Sequence, residues 1–489
     1  MFVGLNEYEK IVHGKSSTVK TKFFSEESLL EYYNFFILIL TYLDQIYLVE
    51  ITFTIIKEML INAQKANAKR LLFQRLGLDI NDLNQYKKGM ALFSEEVSMK
   101  WGEQESYLKN SDFYIETRIE MTPDTLKIEI ENNASVLPIE QERITKRLSV
   151  AKKYNDLSDA FADMLDTSES AGLGLVLTQI LLRNSGIGQE NLKLNFHSDK
   201  TVVDLIIPKN AAPVSIESRL GTKILDEISN LPHLPQSLSR IIQLCNNPDS
   251  SINTLSAEIE KDPALSADLL KLSNSSSFIT RNKVNNVLGA IKIVGLKNLR
   301  NMLYVTGVTK ILNSRYQTKA QEVWDHSAKC SFFAKALAQE YGKNRYADVV
   351  ATAGLLHDLG KLVLLSVDRK LAQKVDFLKG KEKNNSVLLE EVSMGVTHPE
   401  IGGLLLRKWG FPEELISVVE FHHKPFLAPD HERELVEIIY LANMMIDVID
   451  NKASYFVIYT PVLKNFKLEN EEAFRKLLEK ISKQFELVR

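Results

Sequence analysis

The hydrophobic pattern of this chain changes period once along its length. Residues 46–73 carry apolar side chains on more than one side of a helical wheel, which predicts a long helix sandwiched between other elements. Phe113–Met121 and Leu126–Glu131 alternate apolar and charged residues around a Pro123-Asp124 turn. Leu192–Phe196 and Thr201–Ile207 do the same around His197-Ser198-Asp199-Lys200. Each pair predicts an antiparallel hairpin with one buried face. Residues 139–170 read as charged and helical, and another helix opens near Gly172. Strands joined as hairpins, with helices grouped apart from them, predict an α/β sandwich and not a doubly wound sheet. The segment 208–216 holds two prolines and no period, which marks a linker. Beyond it the chain reads almost wholly helical. Asp262-Pro263 has the signature of a helix start, and Leu265, Leu269 and Leu272 mark the buried face that follows.

Composition changes this picture little. A chain of 489 residues exceeds one ordinary domain, and 45% hydrophobic content suffices for real cores. A net charge of -3 gives no bulk attraction to nucleic acid or to an anionic membrane. Two distant cysteines, Cys245 and Cys330, form no disulfide framework or zinc motif, so a reducing, cytoplasmic setting is expected. The greasy stretch Tyr32–Ile56 is interrupted by Asp44 and Glu50 and reads as buried helix, with no membrane insertion expected.

Two groups of residues carry candidate chemistry. Glu58 and Asn62 share one helical face, with Lys65 nearly one turn further on. Glu can orient a water as base, and Asn can ligate a Mg²⁺ held by phosphates. Gly172 and Gly174 open a helix where backbone N–H groups could meet phosphate, although a lone Gly-x-Gly is equally a packing device. The second group is His326, His357, Asp358, His398, His422 and His423, with Glu322 four residues before His326 and Lys361 three after Asp358. Imidazoles around a carboxylate, without thiolates, suit Fe or Mn. Lys361 is spaced to meet a phosphate oxygen.

The first group resembles the GHKL ATPase module of sensor kinases: "EMLINAQKA" is similar to its N box, "LKIEIENNASVLP" to its adenine-reading segment and "SAGLGLVLTQILL" to its second glycine box. That resemblance implies ATP with Mg²⁺ as cofactor, held by Glu58, Asn62, Lys65, Asn132, Gly172 and Gly174. Asn132 stands where the family has an aspartate, and Ala134 and Val136 stand for glycines. An amide oxygen accepts a hydrogen bond more weakly than a carboxylate. The helical region resembles the HDOD domain, a degenerate relative of the HD phosphohydrolases, through "LLHDLGKLVLL" and "HPEIGGLLLRKWGFPEELISVVEFHHKP". It implies an upstream helical half followed by an HD-like bundle. Asn443 replaces the last metal-binding aspartate of catalytic relatives, with Asp447 one turn on, and the Gly-Tyr-Pro of cyclic-dinucleotide hydrolases is missing after His423.

The expected organisation is a helical extension at 1–45, a degenerate GHKL-like domain at 46–208 and a linker at 209–219. An HDOD domain follows at 220–450, in halves 220–315 and 316–450, with a helical extension at 451–489. Three functional readings stay open. The first is a signalling protein in which a nucleotide- or partner-sensing module controls a non-catalytic HDOD output that binds downstream proteins. The second is a metal-dependent phosphohydrolase of nucleotides or cyclic dinucleotides, with Lys361 neutralising phosphate charge. The third is an ATP-driven switch with Glu58 as base. Homo-oligomerisation is compatible with all three.

Overall fold

The computed structural model describes residues 5–99, 101–151, 173–211, 219–274, 283–316, 320–367, 387–388, 390 and 395–488. The chain divides into two compact units. The first is Met1–Ser218 with Glu391–Gly395, and the second is Arg219–Glu390 with Val396–Arg489.

In the first unit, helices α1 (Leu5–Val12), α2 (Glu26–Tyr42), α3 (Val49–Leu76), α4 (Leu83–Met99), α5 (Trp101–Lys109), α6 (Pro138–Ala151) and α7 (Leu173–Asn184) accompany a small sheet. Its strands are β1 (Ser17–Thr21), β2 (Ile115–Met121), β3 (Thr125–Asn132), β4 (Leu192–Phe196) and β5 (Thr201–Pro208), in the order β1-β2-β3-β5-β4. All neighbours are antiparallel, with Ile119 opposite Ile128 and Ile128 opposite Leu205. Leu126, Ile128, Ile130 and Asn132 point into the core, while the charged residues between them face outward. That period of two is what the alternating sequence encodes. On the outer face Lys127 pairs with Asp204 at 2.7 Å and Lys200 with Glu131 at 2.7 Å.

Helix α3 lies against β3, α2 and α7, and this explains its apolar character on several sides. It ends at Gly77, whose φ of 63° a side-chain-bearing residue rarely adopts. The stretch 1–45 differs from the helical extension expected of it. It contributes β1, which pairs with β2 along its whole length and extends the sheet.

The second unit is helical throughout its described residues. Its upstream part comprises α8 (Arg219–Asn230), α9 (Gln236–Asn246), α10 (Ile252–Ile259), α11 (Pro263–Ser273) and α12 (Val287–Tyr316). Asp262 caps α11 by accepting hydrogen bonds from the Ala264 and Leu265 N–H groups, as its sequence signature requires. Gly295, with φ 77° and ψ 157°, breaks α12 into two segments.

The downstream part comprises α13 (Ala320–Glu340), α14 (Ala347–Leu356), α15 (Leu359–Val367), α16 (His398–Lys408), α17 (Glu413–Phe421), α18 (Arg433–Ile449), α19 (Thr460–Asn465) and α20 (Glu471–Val488). Among the described residues one helical stretch, Asn344–Ser366, is long and apolar enough to cross a membrane, and it is mostly buried. Helix α8 is tied to the bundle by the Lys408 ammonium, which donates to the Ile228, Ser229 and Leu231 carbonyls at the end of α8. The Trp409 indole donates to the Pro232 carbonyl beside it.

Candidate metal centre

The C-terminal turns of α14 and α17 and the N-terminal turn of α16 converge on Asp358. Close backbone approach makes this possible at two glycines. A Cβ on Gly354 would lie 2.6 Å from the Ser331 backbone on α13, and one on Gly360 would lie 2.0 Å from the His398 carbonyl oxygen. Helix α16 starts with a capping box: Thr397 accepts from the Glu400 N–H, and the Glu400 carboxylate accepts from the Thr397 N–H at 2.8 Å. His398 therefore sits at the first helical position, where its own N–H has no intrahelical partner.

The hydrogen bonds fix the imidazole tautomers. His357 Nδ1 lies 2.9 Å from the Gly354 carbonyl, and His422 Nδ1 lies 2.7 Å from the Val419 carbonyl. His398 Nδ1 lies 2.7 Å from Glu390 Oε2, a carboxylate 2% exposed. All three partners are acceptors, so each Nδ1 carries its hydrogen and each Nε2 presents a lone pair. Those lone pairs face one another and Asp358. His398 Nε2 is 3.2 Å from Asp358 Oδ1 and 3.3 Å from His422 Nε2, and His422 Nε2 is 3.7 Å from the same oxygen. With neutral rings, no hydrogen bridges these acceptors.

His423 completes this group, and its Nε2 is buried without a hydrogen-bond partner, as are His357 Nε2 and Asp358 Oδ1. Converging, unpartnered acceptors of this kind fit a divalent cation, and they are costly to bury without one.

The other side of Asp358 is arranged differently. His326 Nε2 and His357 Nε2 lie 3.5 and 3.4 Å from Oδ2. Oδ2 itself accepts from the Lys361 ammonium at 2.6 Å. His326 Nε2 is 3.0 Å from Asn443 Oδ1, so it is engaged by the amide. Asp447 joins neither group of ligand atoms, and Glu322 is exposed to solvent.

Burial keeps the ring charges off. It pushes His357 and His423 well below the ordinary imidazole range, lowers His422, and brings His326 down to about 4. Neutral imidazole is the ligating form. Burial alone would neutralise Asp358 and Lys361 too, but each is held charged. The Lys361 ammonium holds Asp358 below the usual carboxylate range, and Asp358 raises Lys361. Burial pushes Asp447 up to about 6.

Glu390 is the residue that sequence reasoning missed. It lies in Leu388-Leu389-Glu390-Glu391, and no motif or period marks it.

In the first unit, Glu58 Oε1 accepts from Asn62 Nδ2 at 3.0 Å. Gly174 packs on Glu58, since a Cβ there would lie 2.0 Å from Oε1. Three of the expected residues therefore meet. Lys65 does not join them and is exposed. Asn132 is buried at the end of β3 and donates to Asn67 Oδ1 at 3.1 Å, while Asn67 donates to the Tyr114 carbonyl at 2.9 Å. Gly172 lies outside the described residues.

Comparison with known proteins reaches both units, and the family match falls in the second. The HDOD domain family matches residues 231–425. An uncharacterized protein of Treponema pallidum is 32% identical over 431 residues, spanning 88% of this chain and 84% of that protein. Ribonuclease Y of Deinococcus radiodurans is 29% identical over 135 residues, which is 27% of this chain and only 17% of the enzyme. Among solved structures, an HDOD domain protein of unknown function from Geobacter sulfurreducens is 23% identical, with a TM-score of 0.41 over 52% of this chain and 85% of that one.

Proposed function

From the HDOD domain that this chain carries at residues 231–425, we propose that it is a regulatory protein whose second unit holds one divalent cation in a centre suited to recognition rather than turnover. One asymmetry carries this reading. On the Oδ1 side of Asp358 the lone pairs of His398 and His422 converge with that oxygen, and His423 joins them. On the Oδ2 side the Lys361 ammonium engages Oδ2 and the Asn443 amide engages His326, which leaves His357 Nε2 as the unpartnered ring nitrogen there. A neutral amide in place of a carboxylate also removes the anionic charge that a second cation needs.

His398, His422, His423 and Asp358 would hold Fe or Mn, which when bound supplies Lewis acidity and a fixed positive charge. Lys361 offers an ammonium beside the centre for an anionic ligand, a phosphate oxygen above all. His357 orients against Oδ2 and completes the polar wall.

We assign the first unit as a GHKL-like sensing module that controls this output. Glu58, Asn62 and Gly174 form its phosphate side. Asn132 retains an acceptor oxygen in place of a carboxylate, so ATP with Mg²⁺ binds weakly and is hydrolysed slowly or not at all. A ligand there acts only through unequal affinity for two states of the chain. The output surface binds a downstream signalling protein in the cytoplasm.

The test combines metal analysis of freshly purified protein with phosphodiester assays on cyclic dinucleotides, nucleotides and RNA. About one equivalent of metal, lost in His422→Ala, with no turnover supports the reading. Two equivalents with brisk cleavage replace it with the phosphohydrolase reading, which the unpartnered His357 Nε2 favours. An ATP titration against Asn62→Ala tests the sensing module, and no saturation at millimolar ATP removes it.

A further inference from the structure

We propose that Glu390 is a positioning residue for the cation, acting through His398 and restoring to the centre the negative charge that Asn443 lacks; this rests on the one-cation reading above. The imidazoles of His357 and His422 are each oriented by a carbonyl three residues earlier in their own helix. That arrangement comes with the helix and costs nothing special. His398 stands at the start of its helix, where no such carbonyl exists, and its orientation comes from a side chain eight residues away. A single oxygen, Glu390 Oε2, accepts from both the His398 backbone N–H at 2.8 Å and Nδ1–H at 2.7 Å.

Two consequences follow. The pair of bonds locks the ring about its side-chain torsions, so Nε2 is aimed at Asp358 Oδ1 and the His422 lone pair. A carboxylate also leaves the imidazole more electron-rich than a carbonyl does, which makes Nε2 the better ligand.

The charge count points the same way. Lys361 balances Asp358, and Glu390 and Asp447 are the further carboxylates whose charge reaches Lys361. Glu390 is 2% exposed, and burying a carboxylate costs several kcal/mol unless positive charge answers it. Two N–H donors and the charge of Lys361 answer part of that cost, and a cation one imidazole away answers more of it. Because this anion acts through His398, it favours the Oδ1 side alone. His326 and His357 on the other side have no carboxylate behind them among the described residues.

The experiment uses the full chain and compares wild type with Glu390→Gln, which keeps shape and an acceptor oxygen but removes the charge. Glu390→Ala serves as the larger lesion. Mn²⁺ affinity is measured by calorimetry, and the visible spectrum of the Co²⁺-substituted protein reports the ligand field. Glu390→Gln is expected to weaken Mn²⁺ binding by about 10- to 100-fold and to shift the Co²⁺ bands, while the metal-free melting temperature changes little. Affinity within twofold of wild type and an unchanged spectrum would overturn the role of Glu390 and leave the one-cation reading intact. A wild type that takes up neither ion refutes the one-cation reading, and this proposal with it.

Discussion

On the one-cation reading, substituting Asn443→Asp should turn the centre from one cation to two. The change is nearly isosteric and replaces an amide nitrogen by a charged oxygen. In the native protein the Asn443 amide oxygen lies 3.0 Å from His326 Nε2, and that nitrogen lies 3.5 Å from Asp358 Oδ2. The new carboxylate therefore faces the side on which His326 and His357 are already oriented. Two unit charges about 4 Å apart interact by about 4 kcal/mol at an effective dielectric of about 20, and a divalent ion doubles this. Desolvating the carboxylate and releasing Lys361 from Oδ2 take back several kcal/mol. A net gain of about 1.4 to 2.8 kcal/mol remains, or about 10- to 100-fold in affinity for a second ion. Without metal the added anion sits near Asp358, so the metal-free protein should melt lower than wild type and the loaded protein higher. Calorimetric titration with Mn²⁺ and melting curves with and without the ion read both effects. A stoichiometry that stays at one, with metal-free stability unchanged, would refute this account of the Oδ2 side.

Further expectations concern packing, charge and thiols. Gly360→Ala places a methyl group 2.0 Å from the His398 carbonyl oxygen, so α15 and α16 must separate; a loss of about 1–3 kcal/mol in chemical denaturation and loss of metal binding are expected, and unchanged values would contradict the close approach. In the first unit, burial alone would raise Glu140, but Arg70 and Lys69 hold it at about 2. A depressed carboxyl stabilises the fold above its unfolded value of about 4.5, and that contribution fades as pH falls toward about 2; it amounts to about 3 kcal/mol at most, because burial also lowers Lys69. Glu140→Gln should flatten this acid-side loss in a pH series of denaturation curves, and an unaltered slope would count against it. Burial raises the Cys245 thiol to about 11 and Cys330 well above its ordinary value, so neither should react with a maleimide at neutral pH until the protein is unfolded.

Strands β2 to β5 were legible because each alternates and is flanked by turn residues. Strand β1 was not. Ser-Thr-Val-Lys-Thr offers a single large apolar residue, and its strand character comes from pairing with β2. The side chains around Asp358 were legible through motifs that keep order and spacing. Their tautomers were not, since these depend on which carbonyl or carboxylate each ring meets. Glu390 left no trace for the same reason: its partner His398 lies eight residues on, and a lone glutamate reads as surface. Lys65 shows the opposite failure. Helical spacing put it near the face of Glu58 and Asn62, yet the packing of α3 against β3 and α7 leaves Lys65 in solvent. Periodicity gives the relative angles of side chains on a helix, and tertiary packing decides which of them is covered.

Anomalous X-ray diffraction from crystals grown with Mn²⁺ tests the central claim most directly. A single strong peak among His398, His422, His423 and Asp358 Oδ1, with nothing comparable beside His326 and His357, is the result predicted. No peak there, or two peaks of equal height astride Asp358, would contradict it.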